Sequence, residues 1–291
     1  VARQRLALHL SAADVPRAEA LLELAGAETV SIADAGDDPV LEPAPDTTPL
    51  WPNVIVRALF PAAADLTHLI AALEQAFPAG AAVVEQLDDA DWQAALRQVF
   101  AARPFGRRIW LTPSDDAHAP PPGRVKVRLH MGLAFGTGEH PTTALCLDWL
   151  DARANDGETI LDYGCGSGVL AIAALALGAR AGYAVDNDPQ AVDATRANLA
   201  LNSLSDRVFV GLPEDLAPVV VDVLAANILA GPLVELAPLF ATHVRAGGAI
   251  VLSGVLERQA EQVQRAFAPF FAGFEQAAHD GWVRIAATRR A

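Results

Sequence analysis

The sequence predicts an α/β protein in which a small split ferredoxin-like α+β domain precedes a mostly parallel, doubly wound sheet. Three observations predict it. Residues 5–87 run strand, helix, strand, strand, helix, strand. From residue 124 onward, strand and helix patterns alternate with short connections. Early in that second part a glycine-rich turn, DYGCGSG at 162–168, leaves a strand and enters a helix. Doubly wound sheets hold ligands just beyond the carboxyl ends of their strands.

Each element follows from its pattern. RLALHL (5–10) alternates like a strand, and Asp14 stands at the cap position of the amphipathic helix VPRAEALLELAGA, which ends near Gly26. TVSIADA (29–35) and NVIVRALF (53–60) are strands on either side of a Pro- and Asp-rich loop. ADLTHLIAALEQAF (64–77) is the second helix and AAVVEQL (81–87) the last strand. This part holds no nucleophile with a base and no glycine loop, so it is assigned to recognition. DDADWQAALRQVF (88–100) reads as a helix and RRIWLTPS (107–114) as a short extended piece. DDAHAPPPG (115–123), with three prolines in a row, is a flexible turn. The expected domains are 1–88 for recognition, 89–123 as connector and 124–291 for chemistry.

In the second part RVKVRLH (124–130) alternates, and TTALCLDWLDAR (142–153) is a helix. TILDYG, AGYAVDND, RVFVGL, VDVLAAN, GAIVLSGV and DGWVRIAATRR are strands. Between them lie the Ala- and Leu-rich helix after Gly168, a helix begun by Pro189, one across 232–245, and one over 257–267.

Composition narrows the function classes. The 291 residues are 52% hydrophobic and 19% charged, a globular balance. No apolar run reaches the roughly 18 residues of a membrane span. The opening VARQRLALHL lacks the long apolar segment of a signal peptide, so a cytoplasmic protein is expected. Cys146 and Cys165 read as reduced thiols, and Glu139-His140 lacks the second histidine of a helical zinc pair, so no metal is expected. A net charge of −14 argues against reading nucleic acid and suits a basic partner. A monomer is expected.

The glycines of DYGCGSG at 164, 166 and 168 let the backbone turn sharply and approach a ligand. Twenty residues or so further, Asp186 stands at the tip of the next strand, where a carboxylate can accept from both ribose hydroxyls. A dinucleotide fingerprint places a third small residue at Val169 or, in the looser count, at Ala171. That pattern leaves Asp162 unexplained. The form D-x-G-x-G-x-G resembles the first motif of S-adenosylmethionine-dependent methyltransferases. In VDVLAANILAGPL, Asn227 ends a buried run. It either makes a turn or accepts hydrogen bonds from a substrate amine. Amine methyltransferases carry a related Asn-Pro-Pro-Tyr motif there, and Ile228 and Leu229 replace its prolines.

Three stretches together, GLAFGTGEHPTT (132–143), ILDYGCGSGVLAIAALALGA (160–179) and AANILAGPLVELAPL (225–239), resemble the PrmA family. LEPAP, WQ and RPFGRRIWL extend the resemblance through the early part of the chain. The resemblance implies a seven-stranded class I methyltransferase domain with S-adenosylmethionine as cofactor. It implies methylation of amines, on lysine side chains and the N-terminal α-amine, of large-subunit ribosomal protein eleven, recognised by the early domain. Carried over by position, Thr143, Asp162, Gly164, Gly166, Asp186 and Asn227 would bind the cofactor, and Asn227 would be catalytic by orienting the amine. His130-Met131 and Glu139 depart from the family pattern. GTGEHPTT lacks the Lys of a nucleotide loop. It is expected to close over the methionine end with Thr143 reaching the cofactor; the alternative is a helix start capped by Thr142 or Thr143. A lysine amine, with a free pKa near 10.4, must reach the site neutral, and no general base is evident. The competing functions are methylation of a different protein lysine, an NAD-type oxidoreductase, and a binding module without chemistry.

Overall fold

The computed structural model describes residues 3–35, 53–77, 82–87, 102–130, 140–153 and 157–291. The chain divides into two compact units, Val1–Val99 and Phe100–Ala291. The helix expected over 88–100 lies outside the described residues.

In the first unit, β1 (Arg3–Ser11), α1 (Val15–Leu24), β2 (Thr29–Asp34), β3 (Asn53–Pro61), α2 (Thr67–Ala76) and β4 (Val83–Leu87) follow one another. The sheet has the order β2-β3-β1-β4 with every neighbour antiparallel. This is the split ferredoxin-like arrangement. Period-two patterning produces it: Leu6, Leu8 and Leu10 of β1 and Val54, Val56, Ala58 and Phe60 of β3 are buried on one face. Val15, Ala18 and Leu22 of α1 and Leu69 and Leu73 of α2 cover that face. Asp14 does not cap α1 with its side chain. Its carboxylate instead accepts a 2.7 Å hydrogen bond from Ser11 Oγ.

The second unit begins earlier than the expected 124. β5 (Arg103–Phe105), β6 (Ile109–Pro113) and β7 (Val125–Leu129) form a three-stranded sheet of order β5-β6-β7. The turn between β5 and β6 is fastened to α3 (Pro141–Ala152). Gly106 N donates to Asp148 Oδ1 at 2.7 Å, and Arg107 N and Arg108 N donate to the two oxygens of Asp151 at 2.6 and 2.8 Å. A side chain at Gly106 would collide with Asp151, so the glycine is required for this approach. Much of the expected connector therefore packs within the second unit.

The main sheet holds seven strands in the order β10-β9-β8-β11-β12-β14-β13. They are β8 (Thr159–Tyr163), β9 (Ala181–Val185), β10 (Val208–Gly211), β11 (Val221–Asn227), β12 (Val244–Leu256), β13 (Phe271–His279) and β14 (Trp282–Arg289). β8 to β12 pair in parallel, and β14 runs antiparallel to both β12 and β13. The strand order and the reversed last hairpin are those of the class I methyltransferase domain that the resemblance implies. Helices α4 (Val169–Ala176), α5 (Pro189–Leu201), α6 (Ala230–His243) and α7 (Ala260–Phe267) complete the unit. One core packs α3 and α4 on one face; the other packs α6 and α7 on the opposite face. The helix expected across 232–245 starts and stops two residues earlier, because β12 takes over at Val244. β13 has no counterpart in the sequence reading. Among the described residues no helix is long and apolar enough to cross a membrane.

At the amino end of the sheet one carboxylate ties three strands together. Asp222 Oδ2 accepts from Thr159 N and Thr159 Oγ1, each at 2.8 Å, while Oδ1 accepts from Arg245 Nε at 2.6 Å. Burial alone would raise this carboxyl; the hydrogen bonds from Arg245 and Thr159 outweigh it and bring it down to about 2. A depressed acid stabilises the fold above its ordinary pKa of 3.8 and stops doing so as pH falls toward 2. Asp222→Ala is expected to lower stability by about 1–2 kcal/mol at pH 7, with the difference from the parent shrinking between pH 4 and 2. Thermal unfolding followed across that pH range checks it; a difference that does not narrow on acidification would remove Asp222 from this role.

Candidate functional site

The carboxyl ends of β8, β9 and β11 converge on one region. β8 leads into α4 through Gly164, Cys165, Gly166, Ser167 and Gly168. Gly164, Gly166 and Gly168 all have positive φ (+77°, +54° and +76°), so this turn requires glycine in a way the sequence alone only suggests. A side chain at Gly168 would meet Thr195 Cγ2 at 2.8 Å, so the third glycine admits α5 against the loop.

Two polar side chains of α5, both buried, hold the loop from behind. Thr195 Oγ1 donates to Gly166 O at 2.9 Å. Asn198 Nδ2 donates to Ser167 O at 2.8 Å, while its Oδ1 accepts from His130 N at 2.8 Å. One turn on, Asn202 binds both N and O of Arg128. The sequence analysis did not single these out. The signal available was Thr195, Asn198 and Asn202 at i, i+3 and i+7, a polar stripe on the face a helix normally buries.

Asp162, in β8, is buried. Its Oδ2 accepts from Ala171 N at 3.1 Å, an N–H of the first turn of α4 that Gly168 cannot cap. Its Oδ1 is buried with no partner. Burial pushes the carboxyl up to about 7, opposed by the Ala171 N–H and reinforced by Asp186. Asp186 sits just after β9 and is half-buried. Its Oδ2 accepts from Gly166 N at 2.9 Å and its Oδ1 from Asp188 N at 3.1 Å. The carboxylate thus fixes the glycine loop while each oxygen keeps lone-pair capacity for a ligand.

Asn227, the last residue of β11, donates through Nδ2 to Thr143 Oγ1 of α3 at 3.2 Å. Its Oδ1 is buried and unpartnered. Thr143 is itself buried in the first turn of α3. Neither threonine caps that helix. His140 does so: its Nδ1 accepts from Thr142 N at 3.4 Å and lies 2.7 Å from Thr142 Oγ1. The imidazole meets the Trp282 ring edge-on at 4.7 Å, and burial holds its pKa below the ordinary value. The preceding residues 131–139, including most of the expected closing loop and Met131 and Glu139, lie outside the described residues.

These side chains surround a cavity of about 220 Å³, lined by Thr143, Asp162, Gly164, Gly166, Asp186 and Asn227 together with Ile228 and neighbours. A second cavity of about 410 Å³ shares Gly164, Asp186 and Ile228 and extends along Pro213, Leu229 and Pro232. All six residues expected at the cofactor site thus meet at the first cavity. The turn after β11 is tightly fitted. A side chain at Gly164 would run into Ile228 Cγ2, and one at Gly254 into the Ile228 backbone carbonyl. Both cysteines are free and buried, and burial first of all raises both thiols. Among the described residues no group of three or more His, Cys, Asp and Glu side chains could hold a metal.

The family model described as ribosomal protein L11 methyltransferase (PrmA) matches residues 3–290. A ribosomal protein L11 methyltransferase of Pseudomonas aeruginosa (strain LESB58) is 49% identical over 278 residues, 94% of this chain and 93% of that protein. One of Ectopseudomonas mendocina (strain ymp) is 49% identical over 277 residues, 94% of each. Among solved structures, ribosomal protein L11 methylase from Lactobacillus delbrueckii subsp. bulgaricus is similar with a TM-score of 0.58. It is 28% identical and covers 65% of this chain and 97% of that one.

The raised carboxyl of Asp162 has a consequence for stability. A folded-state pKa above the ordinary 3.8 means the folded protein holds a proton that the unfolded chain has lost, so stability falls as pH rises from about 4 to 7. Asp162→Asn keeps an oxygen for Ala171 N and removes the charge. It is expected to unfold about 5 °C or more above the parent at pH 8, with the gap closing toward pH 4. Calorimetric scans at both pH values decide this; a lower melting temperature at pH 8 would mean the charge is stabilising.

Proposed function

This chain belongs to the PrmA family of ribosomal protein L11 methyltransferases, and from that premise we infer how its own residues work. It is an S-adenosylmethionine-dependent methyltransferase, and its substrate is ribosomal protein L11. When bound, S-adenosylmethionine supplies a methyl group already activated on a sulfonium.

The residues present suit such a group. Cofactor sulfonium and ammonium are both positive, and the first cavity offers two buried acceptor oxygens without partners, Asp162 Oδ1 and Asn227 Oδ1. The glycine turn lines the cavity with backbone at Gly164 and Gly166. In this reading Gly164 and Gly166 line the ligand, Asp186 takes ribose hydroxyls, and Asp162 faces positive charge. Thr143 fixes the Asn227 amide so that its carbonyl oxygen points to the cavity.

The single observation that carries the reading is that oxygen. An acceptor buried without a partner costs free energy unless a ligand uses it. Asn227 Oδ1 would accept from the incoming amine and turn the nitrogen lone pair toward the methyl group. A low-dielectric entry favours the amine without its proton. The NAD-type oxidoreductase is set aside by family membership. The finer reading covers lysine side chains and the N-terminal α-amine as acceptors, with recognition by the ferredoxin-like part, residues 1–88. It also has the protein acting as a monomer, in the cytoplasm, without reading nucleic acid. The net charge of −14 supports a basic protein partner over a phosphate backbone.

Asn227→Ala is expected to lower turnover by about 100-fold while the affinity for S-adenosylhomocysteine changes only a few-fold. Intact-mass measurement of L11 after incubation with S-adenosylmethionine gives the turnover, as steps of one methyl group, and calorimetry gives the affinity. Parent-like turnover would end the role of Asn227, and no mass gain with the parent enzyme would end the substrate assignment. Thr143→Ala is expected to weaken cofactor binding and also to slow methyl transfer, because it releases the amide it holds; unchanged binding and rate would exclude Thr143 from the site.

A further inference from the structure

The turn between β8 and α4 has little conformational preference of its own. Gly164, Gly166 and Gly168 all sit at positive φ, and glycine takes either sign of φ about equally readily. Its course is therefore imposed by partners. From one side β9 supplies them. Gly164 N and Cys165 N both donate to Val185 O, at 2.8 and 3.0 Å, and Gly166 N donates to Asp186 Oδ2 at 2.9 Å. Within the turn, Gly168 N donates to Cys165 O at 2.7 Å.

Two carbonyls are held from the other side, by α5. Gly166 O accepts from Thr195 Oγ1 at 2.9 Å, and Ser167 O accepts from Asn198 Nδ2 at 2.8 Å. A planar trans peptide orients its N–H and C=O together, so a bond to either group sets which way the plane faces. Gly166, which lines the first cavity, is thus set on both flanks: Asp186 holds the plane before it and Thr195 the plane after it. Asn198 sets the next plane. Its amide cannot turn over, because its Oδ1 is engaged by His130 N, just after β7, at 2.8 Å.

Both side chains are buried, on a face of α5 otherwise made of Ala191, Val192 and Leu199. An apolar pair would fill this place with less desolvation, but it would leave two carbonyls without donors and two peptide planes unset. The polar pair is therefore matched to the turn rather than to the core around it.

We propose that Thr195 and Asn198 are positioning residues for methyl transfer: through Gly166 O and Ser167 O they set the orientation in which the glycine turn meets S-adenosylmethionine. They act through the turn and not by contact with the cofactor. The inference rests on the cofactor reading above.

The test uses three variants of the full chain. Thr195→Val removes the hydroxyl and keeps the branched shape, including the methyl that lies against Gly168. Thr195→Ser keeps the hydroxyl and removes that methyl. Asn198→Asp keeps an acceptor for His130 N and replaces the donor to Ser167 O by an oxygen. For Thr195→Val and Asn198→Asp the dissociation constant for S-adenosylhomocysteine is expected to rise roughly 10-fold, and KM for S-adenosylmethionine likewise, with kcat at saturating cofactor falling less. Thr195→Ser is expected to stay within about threefold of the parent in affinity even if its melting temperature drops, because the donor remains. A role confined to packing predicts the reverse order, with the serine variant the weaker binder. Parent-like affinity and KM in Thr195→Val, or in Asn198→Asp should the valine variant not fold, overturns the proposal, as does a serine variant that binds as poorly as the valine one. Failure of the parent to bind S-adenosylhomocysteine would instead end the cofactor reading, and this inference with it.

Discussion

The buried carboxylate of Asp162 joins β8 to α4 and sits under the glycine turn that the two elements share. A helix that begins with glycine has no side chain to satisfy its first amides. Here the strand before the loop reaches across and supplies the acceptor to Ala171 N. The turn can then be built from glycines with positive φ, leaving its upper surface open, while Asp186, Thr195 and Asn198 hold it from the sides. The arrangement costs free energy, because one oxygen of Asp162 is buried without a partner and burial pushes its pKa up to about 7. Natural proteins accept such costs at functional sites.

The two faces of the sheet divide the work. The face under α6 and α7 is a conventional apolar core in which the Phe267 ring contacts those of both Phe240 and Phe271. The face under α3 begins as a core and turns polar at its carboxyl end, where Asp162, Asn227, Ser253 and Arg284 replace the aliphatic rows below them. The remaining polar clamp, Asp222 with Thr159 and Arg245, sits at the opposite end and is fully satisfied. Satisfied polar groups therefore brace the amino end of the main sheet, whereas Asp162 Oδ1 and Asn227 Oδ1 are left without partners at the cavity at its carboxyl end.

Much of this was legible in the sequence where the information is local. Alternation identified β1 and β3, glycine spacing identified the turn after β8, and the position of Asn227 at the end of an apolar run marked β11, the fourth strand of the main sheet in chain order. What escaped depends on distant partners. FAGFEQAAH, the edge strand β13, buries only Phe271 fully and so lacks a clean two-residue period. His140 as a cap is an uncommon choice, and the sequence favoured the neighbouring threonines. Thr195 and Asn198 act on backbone some 30 positions earlier, and nothing beside them in the chain announces it.

The close fit around Ile228 limits the mutational routes open to this enzyme. Gly164 and Gly254 press on the same residue, but on different parts of it. The conflict at 164 is with the Cγ2 methyl, which a different side chain at 228 can withdraw. The conflict at 254 is with the carbonyl itself, which every residue at 228 carries. Change at 164 can therefore be tolerated only in combination with change at 228 and with the backbone strain that its positive φ imposes, whereas no partner substitution at 228 opens position 254. The turn that aims Asn227 is held by one adjustable neighbour and one fixed one, and drift in the sequence is confined to the adjustable side.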